Sequence, residues 1–282
     1  MRAHDLLEAS SRLAGFDETP ADSCVAHDAG APVRRVCAGI NATTGDLLVA
    51  REMGCDTFLL HHPLAGDAKR RFHLVLARMV ELMEDHGVPP APARAAVEPL
   101  ARRARFNDHL SDWGHLADAA KRIGITLLNV HLAADELGRL AMLEALRPLP
   151  EHATVADVVR ALGDVPELAH PENEIIVVPE SDAPRPAGRI AVMHAGGTNG
   201  GASVAEALFA HGVGTVAYIH LSGEDAGRLE ARAREGHAGS LVVTGHMASD
   251  AIGMNLLLQW LREEHAVECV AYGGLAPFDG LR

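Results

Sequence analysis

The sequence has few cysteines, and they are scattered. Cys24, Cys37, Cys55 and Cys269 form no Cys-x-x-Cys pair, which argues against a zinc ribbon and gives no support to a disulfide scaffold. Aromatic residues make up only 4% of the chain, so alanine, leucine and valine must fill any core. No run approaches the roughly 18 apolar residues that a membrane-spanning helix requires. Residues 1–11 carry charges and lack the apolar stretch of a signal peptide, so a cytoplasmic, reducing compartment is expected. No Gly-x-Ser-x-Gly elbow occurs, and no Gly-Lys-Ser/Thr follows a glycine-rich loop. Serine hydrolases built on such an elbow and P-loop nucleotidases are therefore set aside. Cationic charge is also in deficit. A formal net charge of −13 argues against a general nucleic-acid or anionic-membrane surface.

What is present is an alternation of short apolar runs and amphipathic stretches over 282 residues, 48% of them hydrophobic. That length suits one large domain or two ordinary ones. Residues 33–40, 57–60 and 125–130 read as strands, with helices over 4–13, 44–53, 72–86 and 116–122 between or beside them. Further on, 175–178, 189–193, 213–219, 240–243 and 267–271 read as strands. They alternate with helices over 140–147, 155–162, 203–211, 226–234 and 252–264. Strand–helix–strand order of this kind predicts an α/β fold. We expect two α/β domains, the second inserted into the first: residues 1–145 completed by 236–282, with 146–235 as the insertion. Arg102, Arg103 and Arg105 form a local basic cluster that reads as a solvated helix face, with a phosphate or subunit contact as the other option.

Seventeen histidines is a high count, and three stretches place histidine where a strand ends. The first is Phe58-Leu59-Leu60-His61-His62-Pro63. Its proline cannot continue a ladder. The second is Leu127-Leu128-Asn129-Val130-His131, with Asp135 four residues on. The third is Val242-Val243-Thr244-Gly245-His246, with Asp250 four residues on. The carboxyl ends of strands are where α/β proteins present ligands. Pooled, the three stretches offer four histidines and two carboxylates, a nitrogen and oxygen mixture suited to a pair of divalent transition metals. Any one of them alone would equally be polar surface. The glycine-rich turn of residues 193–201 before a helix suits a phosphate cradle, or simply a tight strand-to-helix turn. His220 also ends a strand.

These stretches resemble the signature of the Nif-three-like family of dinuclear-metal proteins, some members of which are designated GTP cyclohydrolase I type 2. The family's His-His-Pro is similar to His61-His62-Pro63. Its His-Thr-Asn-Leu-Asp resembles His131-Leu132-Ala133-Ala134-Asp135, with the outer residues kept and the inner Thr and Asn lost. Its Gly-His-x-x-x-Glu resembles the segment from Gly245 to Asp250, with Asp in place of Glu. The glycine-rich turn and a Thr-Gly-Glu similar to Ser222-Gly223-Glu224 follow the family order. The stretch between His62 and His131 is longer than the family pattern, which suggests an added helix or a subunit contact.

The resemblance implies five metal ligands, His61, His62, Asp135, His246 and Asp250, with the position of Asp250 bridging two ions. His131 is outside that ligand set and would either support the ligands from behind or act as a proton-transfer group. The ions would be two divalent metals from among zinc, iron, manganese, cobalt and nickel. The family further implies a homo-oligomer, a toroidal hexamer. The implied activity is a metal-dependent hydrolase acting on a small molecule, a nucleotide (as in GTP ring opening) or another phosphoester. A non-catalytic metal-handling or regulatory scaffold is the alternative.

Overall fold

The computed structural model describes residues 1–181 and 183–275. The first part of the chain runs α1 (Ala3–Leu13), β1 (Cys24–His27), β2 (Arg35–Gly39), α2 (Thr44–Glu52), β3 (Thr57–Leu60) and α3 (Gly66–Arg71). A 3-10 turn (Phe72–Leu76) leads into α4 (Ala77–Asp85), α5 (Pro90–Leu110), α6 (His115–Ile123), β4 (Thr126–Asn129) and α7 (Leu132–Leu146). Then come α8 (Val155–Gly163), β5 (Ile176–Val178), β6 (Arg189–Val192), α9 (Gly201–Ala210) and β7 (Val213–Tyr218). The described chain closes with α10 (Gly223–Arg234), β8 (Ser240–Val243), α11 (His246–His265) and β9 (Glu268–Ala271). The fold is α/β, and it divides into two compact units.

Among the described residues, the first unit comprises Met1–Val75, Arg102–Gly138 and residues 250–275. Its sheet has the order β1-β4-β3-β2-β9, parallel throughout except for β1 at one edge. The pleat explains why these strands are continuous apolar runs. Val36, Ala38, Leu59 and Leu128 point to one face, where α1, α7 and α11 pack with Leu6, Ala134, Met254 and Leu258. Cys37, Phe58, Leu60 and Leu127 point to the other, against Leu47 of α2 and Leu116 and Ala120 of α6. A strand covered on both sides has no polar face to alternate with. α7 and α11 meet closely in this unit. A Cβ on Gly253 would land on the Ala134 carbonyl and lie 3.2 Å from the Gly138 nitrogen.

The second unit comprises Leu76–Ala101 and Arg139–Ser249. Its sheet has the order β5-β8-β7-β6, with β6, β7 and β8 parallel and β5 antiparallel at an edge. α8 starts at Thr154, whose hydroxyl accepts from the Asp157 N–H while Asp157 reaches back to the Thr154 N–H, a reciprocal capping box.

The expected boundary at residue 236 differs from the observed one. β8 pairs with β7 and β5, so residues 240–249 fold with the second sheet, and the chain returns to the first unit at Asp250. The expected boundary at 145/146 likewise lies at 138/139, inside α7, and Leu76–Ala101 belongs to the second unit. Three elements were not anticipated, among them α3, whose six residues are too few for a helical repeat to show. α5 covers 21 residues with Pro99 inside it; its proline and alanine content hid the periodicity. β1 is four half-buried residues without alternation.

Candidate metal centre

Parallel register brings the histidine-bearing ends together. Leu60 is paired with Asn129 and Gly39 with Leu60, so the residues following β2, β3 and β4 all leave one carboxyl edge of the first sheet. His61 and His62 follow β3, and His131 follows β4 by two residues. α7 starts one residue later, and the Asp135 N–H donates to the His131 carbonyl, which puts Asp135 in the helix's first turn. Asp250 comes from α11, whose apolar side lines the same core. His61, Asp135, Asp250 and His131 are buried, with 0, 3, 2 and 6% of their surfaces exposed.

The distances are those of a ligand shell. His61 Nε2 lies 3.3 Å from Asp135 Oδ1 and 3.6 Å from Asp250 Oδ2, and His62 Nε2 lies 3.2 Å from the same Asp250 oxygen. Two donors each about 2.1 Å from one ion stand about 3.4 Å apart at the tetrahedral angle. One donor atom from each of His61, Asp135 and Asp250 falls within a common 4.8 Å, as does one from each of His61, His62 and His131. Two carboxylates withdrawn from water need a cation among them, and neutral imidazole with carboxylate is the donor set of a borderline divalent metal. The residues fit the group.

The ring orientations agree. His61 Nδ1 is 3.3 Å from the Val130 carbonyl, and His62 Nδ1 is 2.8 Å from the Asn41 amide oxygen. An oxygen acceptor at Nδ1 holds the proton there and turns Nε2, with its lone pair, toward the carboxylates. Asn41 follows β2 and would have been hard to single out from sequence, because its role exists only once β2 and β3 are paired. His131 Nδ1 is 2.7 Å from Asp22 Oδ2, another partner that the sequence reading passed over.

Without metal the site holds a proton instead. Burial works against a charge on His61, but the carboxylates of Asp250 and Asp135 outweigh it and raise its pKa to about 10. His62 shifts the other way: burial, joined by the neighbouring His61 and His131, lowers its pKa against the pull of Asp250. A pKa raised in the folded state means that the fold binds the extra proton, so stability falls as pH rises. That contribution is complete below the ordinary value of 6.5 and is lost as pH approaches about 10. Thermal unfolding of chelator-stripped protein is therefore expected to show a midpoint that declines between those limits. His61→Gln should flatten the decline; an equal slope in both proteins would contradict this assignment.

His246 opens α11, four residues before Asp250, so the helical repeat sets both on one side of the helix. In the second unit its ring centroid lies 4.5 Å from that of His220. His220 Nδ1 is 2.7 Å from the Asn199 side-chain nitrogen, and Asn199 Oδ1 accepts from the Gly201 N–H. The glycine-rich turn is packed rather than open. His194 to Gly197 are buried, Met79 Cε stands 3.0 Å from where a Gly196 Cβ would be, and Asp225 accepts from the Ala202 N–H at the start of α9. These features favour the tight-turn reading over a phosphate cradle.

No family model and no curated protein matches the chain. Solved structures do. A NIF3 superfamily protein from Sphaerobacter thermophilus is 41% identical, with a TM-score of 0.89 over 98% of this chain and 100% of its own. Reduced HcgD from Methanocaldococcus jannaschii shares the fold at 12% identity, with a TM-score of 0.59 over 96% of this chain and 97% of its own. TTHA1606 from Thermus thermophilus does so at 14% identity, with a TM-score of 0.53 over 96% and 97%. Two α/β units, histidines at the ends of neighbouring parallel strands and 41% identity along the full length of a relative lead to one conclusion: the chain belongs to the NIF3 superfamily.

Proposed function

We propose that the protein is a dinuclear metal-dependent hydrolase of a small molecule, a nucleotide or another phosphoester. The observation that carries this is the buried edge-of-sheet cluster in which His61 Nε2 and His62 Nε2 face Asp135 and Asp250 at 3.2–3.6 Å. His61, His62, Asp135, Asp250 and, one helical turn ahead of Asp250, His246 are the proposed ligands. Divalent ions held here would supply Lewis acidity and a nucleophilic water at neutral pH. Zinc, iron, manganese, cobalt and nickel all suit the donors. Val130 and Asn41 orient the two imidazoles, and the low exposure of the carboxylates keeps water from competing for them.

Self-association belongs to the same reading. Leu48 and Val49 of α2 and Met53 just past its end are exposed at 54, 43 and 40%, apolar surface of the kind that a subunit contact covers. A ring-shaped hexamer, tested by light scattering, is the assembly we propose. The four cysteines are free thiols, in keeping with a cytoplasmic location, and no described helix is long and apolar enough to cross a membrane. Turnover is the decisive test. Metal-loaded protein should release product from at least one member of a panel of nucleoside triphosphates, GTP included, and simple phosphoesters, and chelation should abolish it. Bound metal without turnover on any of them would favour the metal-handling alternative.

A further inference from the structure

Sequence reasoning gives His131 a supporting or proton-transfer role, because its position is not a ligand in the family pattern. The geometry points elsewhere: we infer that His131 is a further imidazole ligand of the centre, beside His61 and His62, held in place by Asp22. The inference rests on the proposed metal centre and adds to it a residue and its support.

Three observations carry it. The first is the mounting of the ring. Asp22 is fully buried, and its Oδ2 lies 2.7 Å from His131 Nδ1. A carboxylate only accepts, so Nδ1 bears the proton and Nε2 is left with the lone pair. His61 and His62 are mounted in the same way, through the Val130 carbonyl and the Asn41 amide oxygen. A carboxylate behind the Nδ1 of a histidine whose Nε2 faces a metal is a recurrent support for such ligands. The second observation is proximity. One nitrogen from each of the three rings lies within 4.8 Å of the others, and the His61 and His131 ring centroids are 4.6 Å apart. The third is immobility. The His131 backbone N–H donates to Ser23 Oγ at 2.9 Å, the Asn129 amide donates to the Asp22 carbonyl at 2.6 Å, and Phe72 packs edge-on to the ring at 5.6 Å. Only 6% of His131 is exposed. A group that exchanges protons with solvent needs a path to it, whereas a ligand needs a fixed lone pair.

Added to His61 and His62, a further nitrogen biases the site toward zinc, cobalt or nickel over the hard, oxygen-seeking magnesium and calcium. Asp22 is then a positioning residue acting through His131.

The test is a chelator-competition titration of zinc and of cobalt(II), with the visible spectrum of the cobalt form, on the full chain. Wild type would be compared with His131→Ala, His131→Gln and Asp22→Asn, each checked for folding by circular dichroism. We expect both His131 variants to lose at least about 100-fold in affinity for one equivalent and to change the cobalt spectrum. Asp22→Asn should lose about 10- to 100-fold with a smaller spectral change. A folded His131 variant that keeps wild-type affinity and spectrum overturns the inference while leaving the metal centre standing. Wild type that binds neither metal overturns both.

Discussion

Asp250→Ala is expected to lower bound metal from the roughly two equivalents per chain of the proposed dinuclear centre to one or none, the largest loss among single substitutions at the site. Its Oδ2 faces both His62 Nε2 at 3.2 Å and His61 Nε2 at 3.6 Å, so one oxygen serves two imidazoles. Removing it takes a negative charge from a region with almost no water to replace it, where a charge–ligand interaction is weakly screened. Asp250→Asn should lose nearly as much, since the amide keeps the shape and loses the charge. Asp250→Glu restores the residue of the family pattern and should retain metal. Elemental analysis of protein purified without chelator or a nickel column checks all three, beside His61→Ala. Unchanged stoichiometry in folded Asp250→Ala would remove the carboxylate from the centre.

Gly253→Leu is expected to be the most damaging substitution away from any ligand. Even a Cβ at this position would fall on the Ala134 carbonyl, with the Gly138 nitrogen 3.2 Å away, and backbone cannot turn aside as a side chain can. Overpacking of a buried contact costs about 1–3 kcal/mol and sometimes more. Here the helices forced apart are α7 and α11, which carry Asp135 and Asp250. The substitution should therefore lower metal affinity together with stability, although residue 253 is not itself a ligand. Gly253→Ala should show the same pair of losses to a smaller degree. Gly227 in α10 is the internal comparison: nothing stands within 4 Å of its missing Cβ. There alanine should raise stability by about 0.5–1 kcal/mol, as expected for a helix interior. Urea unfolding and zinc titration of the three variants would show whether the two losses separate; separation would mean that α7 and α11 do not set the site.

Much of this was legible in the sequence because strands buried on both faces are written as uninterrupted apolar runs. Thr57–Leu60 could be placed to the residue, and the histidines beyond β3 and β4 follow from where those runs stop. The α/β class came from the same alternation. Less legible were residues whose importance depends on pairing. Asp22 and Asn41 sit beside no motif of their own. They matter because β1 joins β4 through Cys24 and Asn129, and because β2 lies beside β3. Gly253 is equally silent, since a glycine within a helical pattern reads as a weak position until the neighbouring helix is seen. The domain boundary was misplaced for a related reason. The run 240–243 looks the same whichever sheet it joins, and only its register with β7 and β5 assigns it.

The return of the chain at Asp250 bears on how the protein is made. On the ribosome, every residue of Arg139–Ser249 emerges before Asp250 does, and the second sheet needs nothing that comes later. The first sheet must wait: β2 pairs with β9, Ala38 beside Ala271, across a separation that spans the whole insertion. Domains tend to fold as they are synthesised, and long-range parallel pairing is slow. The inserted unit would thus be formed while the first still exposes apolar strands and a partial set of the proposed ligands, His61, His62 and Asp135 without Asp250. Metal captured during synthesis would meet an open half-site, and α11 would close over it last.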